Sequence, residues 1–379
     1  MNLTLKVKLC TTPEQYSALV RTMEHFNLAC DYIAGVAFEL KLASKVKIQP
    51  TVYRAVREKF GLSSQMAVRA ISKAIEAYKL DRTIRPHFKS HGAMVYDQRI
   101  LSWKALDRVS ILTLDGRTLV HVAIYDHFKA KLDNRIRGQA DLVLIDDVFY
   151  LCAVVDVPDA EPIEVKGVLG VDLGIVNIAV DSDGETHSGT GVEKVRGKTA
   201  KLRTELQSCG TKPAKRHLKR LSGYEQRFRR DTNHCISKKL VAKAKDTASA
   251  IALEDLNGIR ERTTVRRAQR SRRSSWAFDQ LRQFIAYKAQ LSGVPVVLVD
   301  PRNTSRTCPS CGHIDKANRP TRGEFKCVRC GNAGPADRIA AVNIAARARV
   351  NAPIVSDGVF SGHFVQPPGT SPHSLEVGS

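Results

Sequence analysis

The sequence predicts a multi-domain α/β chain, and three observations carry that prediction. Hydrophobic periodicity passes from strand to helix, back to strand, and then to a strand–helix mixture along the chain. The 379 residues are enough for two or three folded units at about 100–200 residues each. Two Cys-x-x-Cys knuckles interrupt the last mixed segment, the mark of a small metal-built insertion. With 43% apolar residues the chain can bury a sizeable core. No run of about 18 uncharged apolar residues is present to cross a membrane. The start, MNLTLKVKLC, alternates lysines with apolar residues and has no leader-like apolar stretch, so a cytoplasmic location is expected.

Taken in order, residues 2–9 read as a strand with Leu3, Leu5, Val7 and Leu9 on one face. Thr11 or Thr12 then caps a helix begun by Pro13 and Glu14, with Tyr16, Leu19, Val20 and Met23 on one face. Helical periodicity continues over residues 30–42, 52–60 and 64–80, with a turn at Gly61. From residue 84 the period falls to two, and strands are expected near 95–101, 110–114, 118–124 and 141–145. This order predicts a β-barrel-like domain over 1–10 and 84–164, with a helical domain of residues 11–83 inserted in it. The apolar stretch 142–157 is broken by Asp146, Asp147 and Asp156.

At residue 165 the character changes. Strands are expected at 167–171, 177–181, 249–253 and 295–299, a long basic helical stretch at 194–245, and helices at 276–291 and 336–350. These make an α/β domain of residues 165–307 and 331–350 around a cysteine-rich insertion at 308–330. The Gly-, Pro- and Ser-rich stretch 351–379 reads as a disordered tail.

A net charge of +22 points to a large polyanion as partner. The charge is clustered: residues 194–245 hold 17 Lys and Arg, and residues 260–273 hold seven arginines. Lys215, Arg216, Lys219, Arg220, Arg227, Arg229, Arg230, Arg266 and Arg267 in these clusters are candidate nucleic-acid contacts. Gln65, Arg69 and Lys73, spaced by four on one helix face, are further candidates for DNA, or else a solvated face. Neither basic cluster carries the apolar face of an interfacial membrane helix. Aromatics are only 6%, too few for a stacking platform that binds single strands by itself.

Cys308-Pro-Ser-Cys311 and Cys327-Val-Arg-Cys330 lie fifteen residues apart, the spacing of a four-cysteine zinc ribbon. Gly312 and Gly331 follow each second cysteine, where a knuckle needs an open backbone. Four thiolates close the coordination, so this zinc is expected to be structural. His313 reads as a surface imidazole. Cys10, Cys30, Cys152, Cys209 and Cys235 read as small buried or half-buried residues.

Asp172 and Glu254 end two apolar strands, and Asp337 begins the last helix. Singly each is readable as a cap or a strand-end charge. Together, carboxylates at the ends of neighbouring strands and at a helix start can cage Mg²⁺ or Mn²⁺ for two-metal phosphodiester hydrolysis. Asp255 and Asp300 are rivals at strand ends. His234 is expected to pack rather than act as a base, and Trp103 and Trp276 to anchor a core or interface.

Gly170-Val-Asp-Leu-Gly-Ile, Leu253-Glu-Asp-Leu-Asn, Thr304-Ser-Arg-Thr-Cys-Pro-Ser-Cys-Gly and Ala336-Asp-Arg-Ile-Ala-Ala-Val-Asn-Ile occur in the order found in TnpB proteins of bacterial insertion sequences, relatives of compact type V CRISPR nucleases. Val56-Arg-Glu-Lys-Phe-Gly-Leu-Ser-Ser-Gln, Leu218-Lys-Arg-Leu-Ser-Gly and Phe228-Arg-Arg-Asp-Thr-Asn-His are also similar to segments of that family, and the resemblance covers about residues 1–350. It implies a RuvC-like RNase H fold with the zinc ribbon inserted before its final helix. It implies RNA-guided DNA endonuclease activity, with guide RNA and double-stranded target DNA as partners; a monomer is expected. Asp172, Glu254 and Asp337 become the catalytic acids, and the four ribbon cysteines the zinc ligands. A short target-adjacent motif would be read by the N-terminal domains. The sequence departs from the pattern at Pro335, where Asp or His is common, and at Ile339, where Asn is. Rival expectations are a guided DNA-binding protein with a silent nuclease, acting as repressor or transposition accessory factor, and an unguided RuvC-like nuclease.

Overall fold

The structure, a computed structural model, describes residues 2–124, 136–256 and 278–351. The chain divides into two compact units, one of Met1–Pro158 and one beginning at Asp159. Residues 260–273 with Arg266 and Arg267, Trp276, and 352–379 lie outside the described residues.

In the first unit, strand β1 (Asn2–Cys10) buries Leu3, Leu5, Val7 and Leu9, as period-two alternation requires. It pairs antiparallel with β5 (Gly116–Ala123) and β7 (Val148–Asp156). With β2 (Met94–Asp97), β3 (Leu101–Ala105), β4 (Arg108–Thr113) and β6 (Ile136–Ile145) they form a seven-stranded sheet in the order β2-β6-β7-β1-β5-β4-β3. The two edge strands, β2 and β3, are consecutive in sequence. Four Cα steps separate Asp97 from Leu101, a reach of at most about 14 Å. The sheet must therefore curl until its edges approach, which makes it barrel-like. The apolar stretch 142–157 is the β6–β7 hairpin. Asp146 and Asp147 take φ of 47° and 61° at its tip, so those acids are a turn rather than an interruption.

Three helices enter between β1 and β2. Helix α1 (Pro13–Glu39) begins with a reciprocal cap in which the Thr12 hydroxyl accepts from Gln15 N–H and the Gln15 side chain accepts from Thr12 N–H. Helix α2 (Lys45–Phe60) starts earlier than the periodicity from residue 52 indicates. Pro50 falls in its second turn, where it forfeits a single backbone bond while Ile48, Val52 and Val56 bury. Gly61, at φ 64°, and the Ser63 cap separate it from α3 (Ser64–Leu80).

The second unit centres on a five-stranded sheet ordered β10-β9-β8-β11-β12. Strands β8 (Gly167–Asp172), β9 (Asn177–Asp181) and β10 (Thr186–Ser188) form an antiparallel meander, and β8, β11 (Ser249–Glu254) and β12 (Val296–Val299) run parallel. The basic stretch expected as one helix is two, α4 (Thr190–Cys209) and α5 (Lys212–Asp246), because Gly210 adopts φ 64° and Thr211 caps the second. Leu169, Val171, Ile251 and Leu253 face α5 and α6 (Phe278–Ser292), burying Ile236, Leu240, Leu281 and Ile285. The opposite face presents smaller residues, Gly170, Ala250 and Ala252, to α7 (Ala336–Asn351). A Cβ on Gly170 would stand 2.0 Å from the Ala341 carbonyl oxygen, so glycine is what lets α7 lie directly on β8. A hairpin of β13 (Glu324–Lys326) and β14 (Ala333–Pro335) leads into α7.

Cys30 and Cys152 are buried as expected, but Cys10, Cys209 and Cys235 are exposed. Cys10 sits at the end of β1, on the face opposite to its buried leucines, and Cys209 ends α4, so neither position offers a core to enter.

Candidate metal centres and nucleic-acid contacts

The parallel register of β8 and β11 pairs Val171 with Leu253. Asp172 and Glu254 are the next residue on each strand, so both carboxylates leave the sheet at the same carboxyl-end edge, where open α/β sheets place their sites. Asp337 lies in the first turn of α7, which packs on β8, β11 and β12. One oxygen of Asp337 accepts from the Asn177 amide at 2.9 Å, and the other lies 3.5 Å from the Arg319 guanidinium. Glu254 Oε1 accepts from the Thr304 hydroxyl at 2.5 Å.

The electrostatics show that these acids share one environment. The Asp172 carboxyl is pushed up to about 7, first by burial and then by the charges of Glu254 and Asp337. Arg319 and the Leu173 N–H oppose that rise without cancelling it. Glu254 is also raised, chiefly by burial, against the Thr304 hydroxyl and the charge of Arg347. A carboxyl that two neighbouring acids repel, with too little cationic compensation, belongs to a donor set that a divalent cation relieves. The rivals are engaged elsewhere: Asp255 faces Arg282 at 3.5 Å, and Asp300 accepts from Arg302 N–H at 2.9 Å.

The cysteines make a second, tighter group. Among the described residues Cys308, Cys311, Cys327 and Cys330 are the only three or more His, Cys, Asp or Glu whose ligand atoms all lie within 4.8 Å of one another. The three carboxylates are more widely spread than that. Sulfur separations of 3.5 Å for Cys308–Cys330 and 3.6 Å for Cys311–Cys327 approach the ~3.8 Å edge of a tetrahedron with 2.3 Å zinc–sulfur bonds. The two knuckles repeat one hydrogen-bond pattern: Gly312 N–H to Cys308 O and Gly331 N–H to Cys327 O, both at 3.0 Å, with φ of 70° and 76° at the glycines. Burial raises the Cys308 thiol, but the N–H groups of Cys311 and Ser310 and the Cys330 and Cys311 thiols bring it to about 6. Against the Asn332 N–H, Cys330 is pushed up to about 12 by its cysteine neighbours, so the four thiols share their protons as one group. His313 stands outside this group. Asn318, fully buried, joins the knuckles by donating to Arg306 O and His313 O and accepting from Val328 N–H. Ile339, where the resembling family often has Asn, packs against the ribbon's buried cysteines and Phe325.

Arg319, Asn177, Thr304, Asn343 and Arg347 escaped the sequence reading. Thr304 and Asn343 lie inside motifs already singled out, but nothing in those motifs tells a side chain aimed at an acid from one aimed at the core. Arg319 is one arginine among many in a basic chain.

The basic candidates divide by what they touch. On α5, Lys215, Arg216, Lys219, Arg220 and Arg227 are exposed, while Arg229 and Arg230 are half-buried. Gln65 and Arg69 both donate to Asp97, Arg69 at 2.7 Å. Lys73 donates to the Asn27 amide oxygen at 2.9 Å and to Ala93 O, beneath the rings of Phe26 and Phe88, and burial lowers its pKa. Thus Lys73 serves the core. Gln65 and Arg69 also line an open polar groove of about 560 Å³ with Lys45, Gln98, Arg99 and Gln139. His234 stacks on Phe284 at 3.9 Å and is held down to about 4 by burial and Lys288, in keeping with packing. Trp103 is half-buried against the first unit's core.

Comparison with known proteins places this architecture. Residues 151–258 match a family model described as a probable transposase, and residues 278–344 match a Cas12f1-like TNB domain. The chain is 26% identical over 329 residues to the CRISPR-associated endodeoxyribonuclease Cas12f1 of Sulfoacidibacillus thermotolerans, covering 80% of this chain and 76% of that protein. It is 27% identical over 254 residues to a TnpB-like protein of Methanocaldococcus jannaschii, covering 63% of this chain and 90% of the relative. A cryo-EM structure of a Cas12f1–sgRNA–target DNA complex shares the fold with a TM-score of 0.57 at 13% identity, over 86% of this chain and 82% of that one.

Proposed function

We propose that the chain is a member of the TnpB family, to which its relatives and family-model matches point, and on that premise an RNA-guided DNA endonuclease of a transposable element, cutting phosphodiesters at Asp172, Glu254 and Asp337. The observation that carries this reading is the raised Asp172 carboxyl at the shared edge of β8 and β11, facing Glu254 and Asp337. The β10-β9-β8-β11-β12 order, an antiparallel meander followed by two parallel strands, supports a RuvC-like RNase H domain. The sequence relatives include a named endodeoxyribonuclease, and the structural neighbour is a complex with guide RNA and target DNA.

Asp172, Glu254 and Asp337 would hold two Mg²⁺ or Mn²⁺ ions, which when bound supply water activation and stabilisation of the leaving 3′ oxygen. Asn177 fixes one oxygen of Asp337, and Thr304 fixes one oxygen of Glu254. Arg319 holds a guanidinium beside Asp337, where it can meet a phosphate oxygen as the strand arrives. The ribbon cysteines would hold zinc, whose role is to fix the segment that carries Arg319. Sequence choice would lie in guide pairing, leaving the protein mainly backbone contacts, for which the exposed α5 cations are suited. The Gln65–Arg69 groove, with Arg99 and three side-chain amides, has the donor chemistry for base edges of an adjacent DNA motif.

The test is to purify the protein with co-expressed RNA from its element and challenge a plasmid library in Mg²⁺. Cutting that follows the guide and vanishes in Asp172→Ala is expected. Guided binding without cutting would replace the reading by a silent, regulatory protein, and cutting indifferent to RNA by an unguided nuclease.

A further inference from the structure

Helix α7 does more than deliver Asp337. Two side chains one turn apart on it, Asn343 and Arg347, clamp the loop that runs from β12 to Cys308 at three backbone carbonyls. Asn343 Nδ2 donates to Thr304 O and to Thr307 O, both at 2.7 Å, and an Arg347 nitrogen donates to Asp300 O at 2.7 Å. Asn343 is 5% exposed and Thr304 3%. With two carbonyl acceptors in reach, only the amide nitrogen of Asn343 can serve both, so its orientation is fixed by chemistry. The Thr304 hydroxyl has a single proton. An ionised Glu254 at 2.5 Å takes it in preference to the neutral Pro301 carbonyl at 3.1 Å.

We infer that Thr304 and Asn343 are positioning residues for Glu254: Asn343 fixes the Thr304 backbone, and the Thr304 hydroxyl fixes Glu254 Oε1, leaving Oε2 for a divalent cation. This rests on the reading of Glu254 as a metal-binding acid. A ligand whose outer hydrogen bond is removed keeps its chemistry but loses its preset rotamer, and metal affinity falls. The clamp also ties Glu254 to the ribbon, since Thr307 precedes Cys308 directly.

The experiment uses the complete protein–RNA complex and two readouts. One is the Mg²⁺ concentration for half-maximal cutting, separated from the rate at saturating Mg²⁺. The other needs no DNA: Fe²⁺ in place of Mg²⁺, with peroxide and ascorbate, cuts the polypeptide beside whichever ligands hold it. Thr304→Val, nearly isosteric but without the donor, should raise half-maximal Mg²⁺ by about 10–100-fold and weaken Fe²⁺ scission near Glu254 to match, while Thr304→Ser stays within about threefold of the native protein. Asn343→Ala should move both readouts in the same direction by less, and adding it to Thr304→Val should change little, because the two act in series. Native metal dependence in Thr304→Val, an equal loss in Thr304→Ser, or full additivity in the double variant would overturn the proposal. If Thr304→Val melts well below the native protein, Asn343→Ala set against Asn343→Gln carries the same comparison. Glu254→Ala separates the two levels: its loss of cutting beside an unaffected Thr304→Val sinks only the positioning role, whereas native cutting and scission in Glu254→Ala remove the acid site and this role together.

Discussion

Asp97 and Asp172 are each the last residue of a strand, β2 in the first unit and β8 in the second, yet their surroundings drive them in opposite directions. Asp97 is 5% exposed, and burial alone would raise its carboxyl. The Arg69 guanidinium, the Gln65 amide and the Arg99 N–H more than offset that and hold it below the usual carboxylate range. Asp172 has the Leu173 N–H and the charge of Arg319 against burial and two further carboxylates, and it rises to about 7. A buried acid whose charge is answered by the fold is a structural part. One left short of cations is prepared for a cation from outside.

The sharpest way to break this contrast is to remove each acid. On the proposed reading of Asp172 as a metal-binding acid, its loss forfeits several kcal/mol of transition-state charge stabilisation, so Asp172→Ala should lower single-turnover cutting on the order of 10³-fold or more with the melting temperature preserved or raised. Asp97→Ala should do the reverse. It strands Arg69 and Gln65, lowering unfolding free energy by about 1–3 kcal/mol in denaturant titration while prebound DNA is cut within about threefold of the native rate. If Asp97→Ala stops the chemistry, or Asp172→Ala unfolds the protein, the distinction fails.

A smaller effect is expected at Gly170, two residues before Asp172. A methyl group there meets the α7 backbone, so Gly170→Ala should cost about 1–3 kcal/mol through displacement of α7 and should reduce cutting as Asp337 moves with it. Thermal melting and single-turnover cutting read the two losses, and retention of both would mean that α7 is not seated by that contact.

The smallest expected effect is on pH dependence without Mg²⁺. A carboxyl whose folded value lies near 7, above the ordinary aspartate value of 3.8, binds protons more readily folded than unfolded. Its contribution to stability is complete below about 4 and is lost as pH rises through about 7. Denaturant titrations in Mg²⁺-free buffer should therefore show a fall over that window that Asp172→Asn flattens and Mg²⁺ removes. Asp97, shifted down, contributes stability above the unfolded carboxylate range and loses it only as pH falls through its lower folded value. A rise in stability across pH 4–7 that vanishes in Asp172→Asn would contradict the raised value.

Much of this was open to sequence reading because it depends on local repeats. Period-two alternation placed β1, the Thr12 cap placed α1, and four cysteines with two glycines placed the ribbon. Three acids at strand and helix ends were legible for the same reason. The sequence could not show which basic residues are already spent. Lys73, spaced from Gln65 and Arg69 as a helix face requires, turns out to donate into the core of its own unit, because a four-residue spacing names a face without saying what covers it.

The sequence by itself determined most of the strands and helices, the ribbon and the candidate acids, which follow from hydrophobic period and ligand spacing within short stretches. Tertiary structure alone decided what surrounds the acids. The β8–β11 register aligned Asp172 with Glu254 across about 80 residues of chain, and the bare Gly170 backbone let α7 bring Asp337, Asn343 and Arg347 to the same edge. Arg319, Asn177 and Thr304 acquired partners 18, 160 and 50 positions away. Such pairings are set by packing between distant segments, and packing leaves no periodic trace in a single sequence.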